Sequence, residues 1–161
     1  MTPPAQDAPN VIVFPPLVPL ITVAASALLQ RFLPLGWFVH LTMLARLPIG
    51  AVLLAAGIGL MANGRRALTK NGTNVHPSLP TLVLVDSGAY RWTRNPLYIG
   101  GCFAMFGAAF LFALDWLPLI FPLSLAILHF GIVRREERYL EQKFGDQYLQ
   151  YASRVPRYFL V

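Results

Sequence analysis

LVDSGAYRWTRNPLYIGG, residues 84–101, runs directly into an apolar stretch that reaches Leu114. Gly88 can take backbone conformations barred to residues that carry a Cβ. Asn95, placed before Pro96, is predicted to be extended, so a compact turn is expected before a helix. Pro96 suits the first turn of that helix, where its missing N–H is not needed. The stretch therefore predicts a helix N-terminus at a membrane surface, with free backbone N–H groups and with Tyr90, Arg91, Arg94 and Tyr98 crowded around it. Two readings of that crowd stay open: it can hold a polar ligand, or Arg91, Trp92, Arg94 and Tyr98 can be interfacial anchors of a transmembrane helix.

Working outward, the chain has 161 residues, 56% of them hydrophobic and 12% charged, with a mean hydropathy of +0.55. That is too apolar for an ordinary soluble domain of this size and predicts one small all-α integral membrane domain over residues 1–161. The net charge of +6 does not point to nucleic acid, because the basic residues flank apolar runs instead of forming one continuous face. Cys102 is the only cysteine, which excludes an intrachain disulfide and an all-cysteine metal site. It follows Gly100 and Gly101 and reads as a small packing residue. His40, His76 and His129 are far apart and lack metal-ligand spacing, so no metal is assigned.

Apolar runs at 11–33, 41–62, 96–114 and 116–133 predict about four transmembrane helices, since a bilayer core needs about 20 residues. Pro15, Pro16 and Pro19 are predicted to bend or delay the first. Gly50, Gly57 and Gly59 would let a neighbour approach the second closely. Residues 1–10 read as a tail on the surface or without fixed structure, lacking the basic start of a signal peptide. Residues 63–81 read as a polar linker and 81–85 as a short apolar piece along the membrane. Asp115 turns the third run into the fourth. Residues 134–157 are predicted to continue the fourth run as a cytosolic helix that Gly145 stops, followed by a short helix capped by Asp146. Eleven of the thirteen basic residues fall on the side of both termini and the long linker, with only Arg31 and Arg46 toward the other. The positive-inside rule makes that side cytoplasmic in a multi-pass topology.

The polar motifs share that side. Glu136 and Glu137, just past the fourth run, could bind a cation or ribose hydroxyls or accept a proton. They could equally be solvated acids answering Arg134, Arg135 and Arg138. His129, an ionisable group inside an apolar run, is a candidate for lining a cavity. Phe103, Phe106, Phe110 and Phe112 read as lipid-facing or packed against neighbouring helices.

Two ordered motifs carry a resemblance. Leu84-Val-x-Ser-Gly-x-Tyr-Arg-x-x-Arg-Asn-Pro-x-Tyr-x-Gly is followed, after two apolar runs, by Glu-Glu-x-x-Leu-x-x-x-Phe-Gly-x-x-Tyr-x-x-Tyr-x-x-Arg-Val-Pro. Over about residues 70–157 the chain resembles the isoprenylcysteine carboxyl methyltransferase family and its phospholipid methyltransferase relatives. The resemblance implies a small helical membrane protein that transfers a methyl group from S-adenosyl-L-methionine, held in a cytosolic pocket, to a lipophilic or lipidated acceptor from the bilayer. It implies cofactor contacts for His76, Leu84, Gly88, Tyr90, Arg94, Asn95, Pro96, Tyr98, Glu136 and Glu137. It also places Arg94, Glu136 and Arg154 in the catalytic machinery, Arg154 at the acceptor carboxylate. The family's best-known form has histidine where Asn95 stands, and asparagine cannot carry a proton. An isoprenylcysteine-type carboxylate is the expected acceptor; a phospholipid amine and a non-catalytic membrane scaffold are the alternatives.

Overall fold

The computed structural model describes residues 7–76 and 79–159, and among them every regular element is helical. Residues 1–6 of the expected tail and Pro77 of the expected linker lie outside the described residues.

Prolines decide where the first helix begins. Helix α1 spans Leu17–Phe32, not 11–33, because Pro15 and Pro16 lock φ and lack the N–H groups that an earlier helical turn would need. Residues 11–16 instead run as an irregular segment whose Ile12 N–H donates to the Gly131 carbonyl at 3.2 Å. Helix α2 spans Met43–Lys70, eight residues beyond the expected end at Ala62 and into the stretch predicted as linker. Arg65, Arg66, Leu68 and Lys70 are good helix formers, and tertiary contacts hold this extra length. Gly64 lies against the ring of Pro96, and the Asn63 Oδ1 accepts the Ala89 N–H at 2.7 Å.

Helix α3 is Pro96–Phe112, with the proline in its first turn. Helix α4, Leu117–Ala126, passes through a π-helical stretch, Ile127–Val133, into α5, Arg134–Phe144. Gly145 then turns with φ +51°, a conformation suited to glycine. It also occupies the capping position of α6, Asp146–Arg154, so Asp146 is the first helical residue rather than the cap.

Helices α2 and α3 pack antiparallel through glycines spaced by seven. Gly50 meets Gly107 and Leu111, Gly57 meets Gly100 and Ala104, and Gly64 meets Pro96 and Leu97. A seven-residue recurrence keeps one face of a helix turned to its partner, and absent side chains let the backbones touch. Gly59, expected to share this role, faces open space. Helix α1 meets α4 through the Thr22 and Ser124 hydroxyls, 2.6 Å apart. Beside them Phe38, Met105, Ala109, Leu114 and Leu117 form a buried cluster. Phe106 and Phe110 pack edge-on against Phe121 and Phe38, whereas Phe112 is exposed.

At the α3–α4 turn, Asp115 is fully buried. Its carboxylate accepts N–H bonds from Gly36 and Phe38, both at 2.7 Å, and from Gln30 at 3.0 Å. Two helices, Met43–Lys70 and Leu117–Phe144, are long and apolar enough to cross a membrane; Leu17–Phe32 and Pro96–Phe112 are shorter apolar helices. They expose Leu20, Ile21, Leu44, Val52, Leu123 and Phe130.

Candidate functional site

A cavity of about 820 Å³ opens between the C-terminal half of α2, the 74–85 segment, the start of α3, α5, α6 and residues 9–19. Its floor is built from the turn ahead of α3. Gly88 sits at φ +61° and is pressed onto α2, where a Cβ would stand 2.8 Å from the Asn63 Oδ1. The Tyr151 hydroxyl donates to the Tyr90 carbonyl at 2.8 Å. The chain beyond α6 then folds beneath the turn. The Arg94 N–H donates to the Pro156 carbonyl at 3.0 Å, and the Thr93 hydroxyl and Asn95 Nδ2 donate to the Arg157 carbonyl at 2.8 and 3.1 Å. Asn95 also donates its N–H to Thr93 Oγ1. These bonds draw it to φ −130°, ψ 51°, short of the extended conformation expected before proline.

The paired acids are treated in opposite ways. Glu137 is met by two guanidinium groups. Arg157 Nε lies 2.9 Å from both carboxylate oxygens and its Nη2 lies 2.6 Å from Oε2, while Arg94 Nη1 reaches Oε1 at 3.1 Å. Glu136 accepts one bond, from the Tyr98 hydroxyl at 2.6 Å, and retains acceptor capacity on the cavity wall. Burial pushes the Glu136 carboxyl up to about 7; the Tyr98 bond opposes this and the Glu137 charge adds to it. Burial also raises the Tyr90 hydroxyl, helped by Glu136 and Tyr151, so it stays protonated. Arg94 donates to the Tyr148 hydroxyl at 3.2 Å, while its buried Nε has no hydrogen-bond partner. Arg46 Nε and Arg135 Nε are buried without a partner as well, but of the three residues only Arg94 lines the cavity.

His76, Leu84, Tyr90, Arg94, Asn95, Tyr98, Glu136 and Glu137 all line the cavity. Gly88 and Pro96 do not: Gly88 shapes the turn against α2, and Pro96 is buried against Gly64. The structure does not bring Arg154 to the others. It is exposed on α6, its Nε donating to the Gln150 carbonyl at 3.2 Å, because α6 turns Tyr148 and Tyr151 inward. The tail arginine that reaches Glu137 is Arg157, which the sequence reading counts only among the basic residues of the cytoplasmic side. The sole signal for it was Pro156, which ends α6 and lets the backbone turn back.

A second cavity, about 550 Å³, shares Tyr98 and Leu128 with the first and is otherwise lined mainly by apolar residues of α3, α4, the π-helical stretch and the C-terminal segment. His129 belongs to it, its Nδ1 2.9 Å from the Tyr158 hydroxyl, and Cys102 also lines it. π-Helical turns inside α-helices occur often at functional sites.

Comparison with known proteins gives a family and partial relatives. A family model described as phospholipid methyltransferase matches residues 45–147, more than half of the chain. The protein-S-isoprenylcysteine O-methyltransferase of Saccharomyces cerevisiae is 35% identical over 80 residues, 45% of this chain and 30% of the relative. The human protein of the same name is 32% identical over 76 residues, 47% of this chain and 27% of the relative. The cobalt-zinc-cadmium resistance protein CzcN of Cupriavidus metallidurans is 29% identical over 76 residues, 47% of this chain and 35% of the relative. The chain thus spans about a third of the length of the curated relatives it matches. No solved structure matches it.

Proposed function

This chain belongs to the phospholipid methyltransferase family, and on that footing we propose that it transfers a methyl group from S-adenosyl-L-methionine to a lipophilic acceptor. The observation that carries the reading is the meeting of two cavities at Tyr98: one that sets Arg94, Glu136 and Glu137 into an otherwise mainly apolar lining, and one lined almost wholly by apolar groups. A volume of about 820 Å³ lies within the usual range for small-molecule sites, about 300–1,000 Å³. The residues present fit the group. Arg94 offers a buried, unpartnered N–H to a carboxylate, Glu136 offers free acceptor positions to a cation or hydroxyls, and the rings of Tyr90 and Tyr98 suit a sulfonium.

When bound, the cofactor supplies a methyl group on a positively charged sulfur, so that transfer disperses charge. The protein's task is then to align donor with acceptor and to exclude water. Glu137, engaged by Arg94 and Arg157, holds both arginines in place. Tyr98 and Leu128 form the wall across which the acceptor approaches, with its hydrocarbon in the second cavity. The four apolar helices cross the bilayer, and the eleven basic residues at the cavity end orient that end toward the cytoplasm.

The relatives named for isoprenylcysteine O-methylation favour a prenylated thioether carboxylate as acceptor, which needs no base. A phospholipid amine is the second reading, favoured by Glu136: a carboxyl titrating near 7 can take the proton that an ammonium must lose. Calorimetry with S-adenosylhomocysteine on the full chain in lipid nanodiscs, followed by methylation of a prenylated thioether acid and of phosphatidylethanolamine, tests both. Micromolar binding with turnover of the acid is the expected result, and turnover of the amine alone selects the second reading. Absence of nucleoside binding would leave a non-catalytic scaffold.

A further inference from the structure

The sequence predicts no more than a surface tail before the first helix, yet in the fold this segment closes one side of the large cavity. Pro9, Phe14, Pro15 and Pro16 line it, next to Pro19 of α1. The Phe14 ring stacks on His76, with centroids 5.2 Å apart and planes 26° from parallel. The Asp7 carboxylate receives Lys143 Nζ at 2.6 and 2.7 Å and the Tyr139 hydroxyl at 2.9 Å. Arg135 Nη1 donates to the Asn10 carbonyl at 3.0 Å, and the Ile12 N–H is bonded to Gly131. Tyr139 joins this latch to the opposite rim, because its hydroxyl also accepts the Thr81 N–H at 3.1 Å.

Spacing makes the arrangement specific. Glu136, Tyr139, Leu140 and Lys143 recur at the intervals that place residues on one helical face, so α5 presents the candidate ligand carboxylate and the latch from the same side. Pro9, Pro15 and Pro16 lock φ and stiffen the segment, so it can swing as a unit. The latch itself is weak: 61% of the Asp7 side chain is exposed, and exposed pairs are screened by salt.

We propose that residues 7–16 are a latched strap that forms one wall of the ligand cavity, presents Phe14 to the bound molecule, and opens when Asp7 leaves Lys143 and Tyr139. The ligand's identity rests on the function proposed above; the strap's seating does not. Stopped-flow exchange of S-adenosylhomocysteine on the full chain in nanodiscs tests the gate. Asp7→Asn and Lys143→Met are expected to speed both association and dissociation about two- to fivefold, the range an exposed pair supports. Combining Asp7→Lys with Lys143→Asp is expected to restore wild-type rates, and raising the salt to mimic Asp7→Asn. Phe14→Ala is expected to weaken equilibrium binding severalfold. Asp7→Cys with Lys143→Cys in a Cys102→Ala chain, joined by a short bis-maleimide, is expected to give an intramolecular bridge that stops exchange. A bridge that fails to form, or one that leaves exchange unchanged, overturns the strap. Wild-type protein that binds no nucleoside, together with a double-cysteine chain that forms the bridge, overturns the proposed function and keeps the strap seated.

Discussion

Glu136 and Glu137 differ by one position and by almost everything that surrounds their carboxylates. Glu137 faces Arg94 and Arg157; Glu136 faces a tyrosine hydroxyl and the cavity. The folded protein holds the Glu136 proton up to about pH 7, against an ordinary value of 4.5. Between those values the native state binds more protons than the unfolded chain, so the stability tied to this group is full below 4.5 and is lost as pH rises through about 7. Glu136→Gln, neutral throughout, escapes that loss and still accepts the Tyr98 bond. It is expected to exceed the wild type by roughly 3 kcal/mol at pH 8 and to equal it at pH 4. Thermal unfolding in detergent at the two pH values checks this, and a difference that does not change with pH would show that Glu136 titrates as an ordinary carboxylate.

Helices α2 and α3 are positioned by glycines, and the two helices together carry the floor of the site. A Cβ at Gly57 would lie 2.5 Å from the Gly100 carbonyl oxygen and 2.7 Å from the Ala104 nitrogen. Backbone atoms cannot rotate aside as a side-chain tip can, so the helices must part. Gly57→Ala is expected to cost about 1–3 kcal/mol, the usual penalty for overpacking. Gly59→Ala, with nothing within 4 Å, is expected to be neutral or to stabilise by up to about 1 kcal/mol through helix propensity. Unfolding midpoints of the pair separate packing from propensity, and equal effects would deny the close crossing. The contrast arises because Gly50, Gly57 and Gly64 share a seven-residue register that Gly59 does not.

Across the whole molecule the two ends are held by different means. At one end Asp115 ties the α3–α4 turn to residues 30–38; at the other, the residues after α6 and the strap fold over the cavity. Asp115→Asn would set an amide hydrogen against N–H groups that now donate to the carboxylate. It is expected to lower stability by about 1–3 kcal/mol and to leave S-adenosylhomocysteine affinity unchanged, because the cavity lies at the opposite end. Unfolding and calorimetry on one preparation measure both quantities, and a parallel loss of affinity would mean that the ends are coupled.

Local rules determined a good deal of this protein from the chain alone. The helical class, the start of α3 at Pro96, the turn at Gly88 and the break at Gly145 follow from hydropathy and backbone preference, which act over a few residues. The clustering of Leu84, Tyr90, Arg94, Tyr98 and the acid pair at one cavity came from ordered motifs. Only the tertiary structure decided that α2 runs on to Lys70, that residues 7–16 cover the cavity, that Arg157 meets Glu137 while Arg154 stays exposed on α6, and that Glu136 keeps free acceptor positions. Each of these rests on contacts between distant parts of the chain, such as Gly64 with Pro96, Asp7 with Lys143 and Arg94 with Pro156. Their energies depend on where the helices cross, which no local preference encodes.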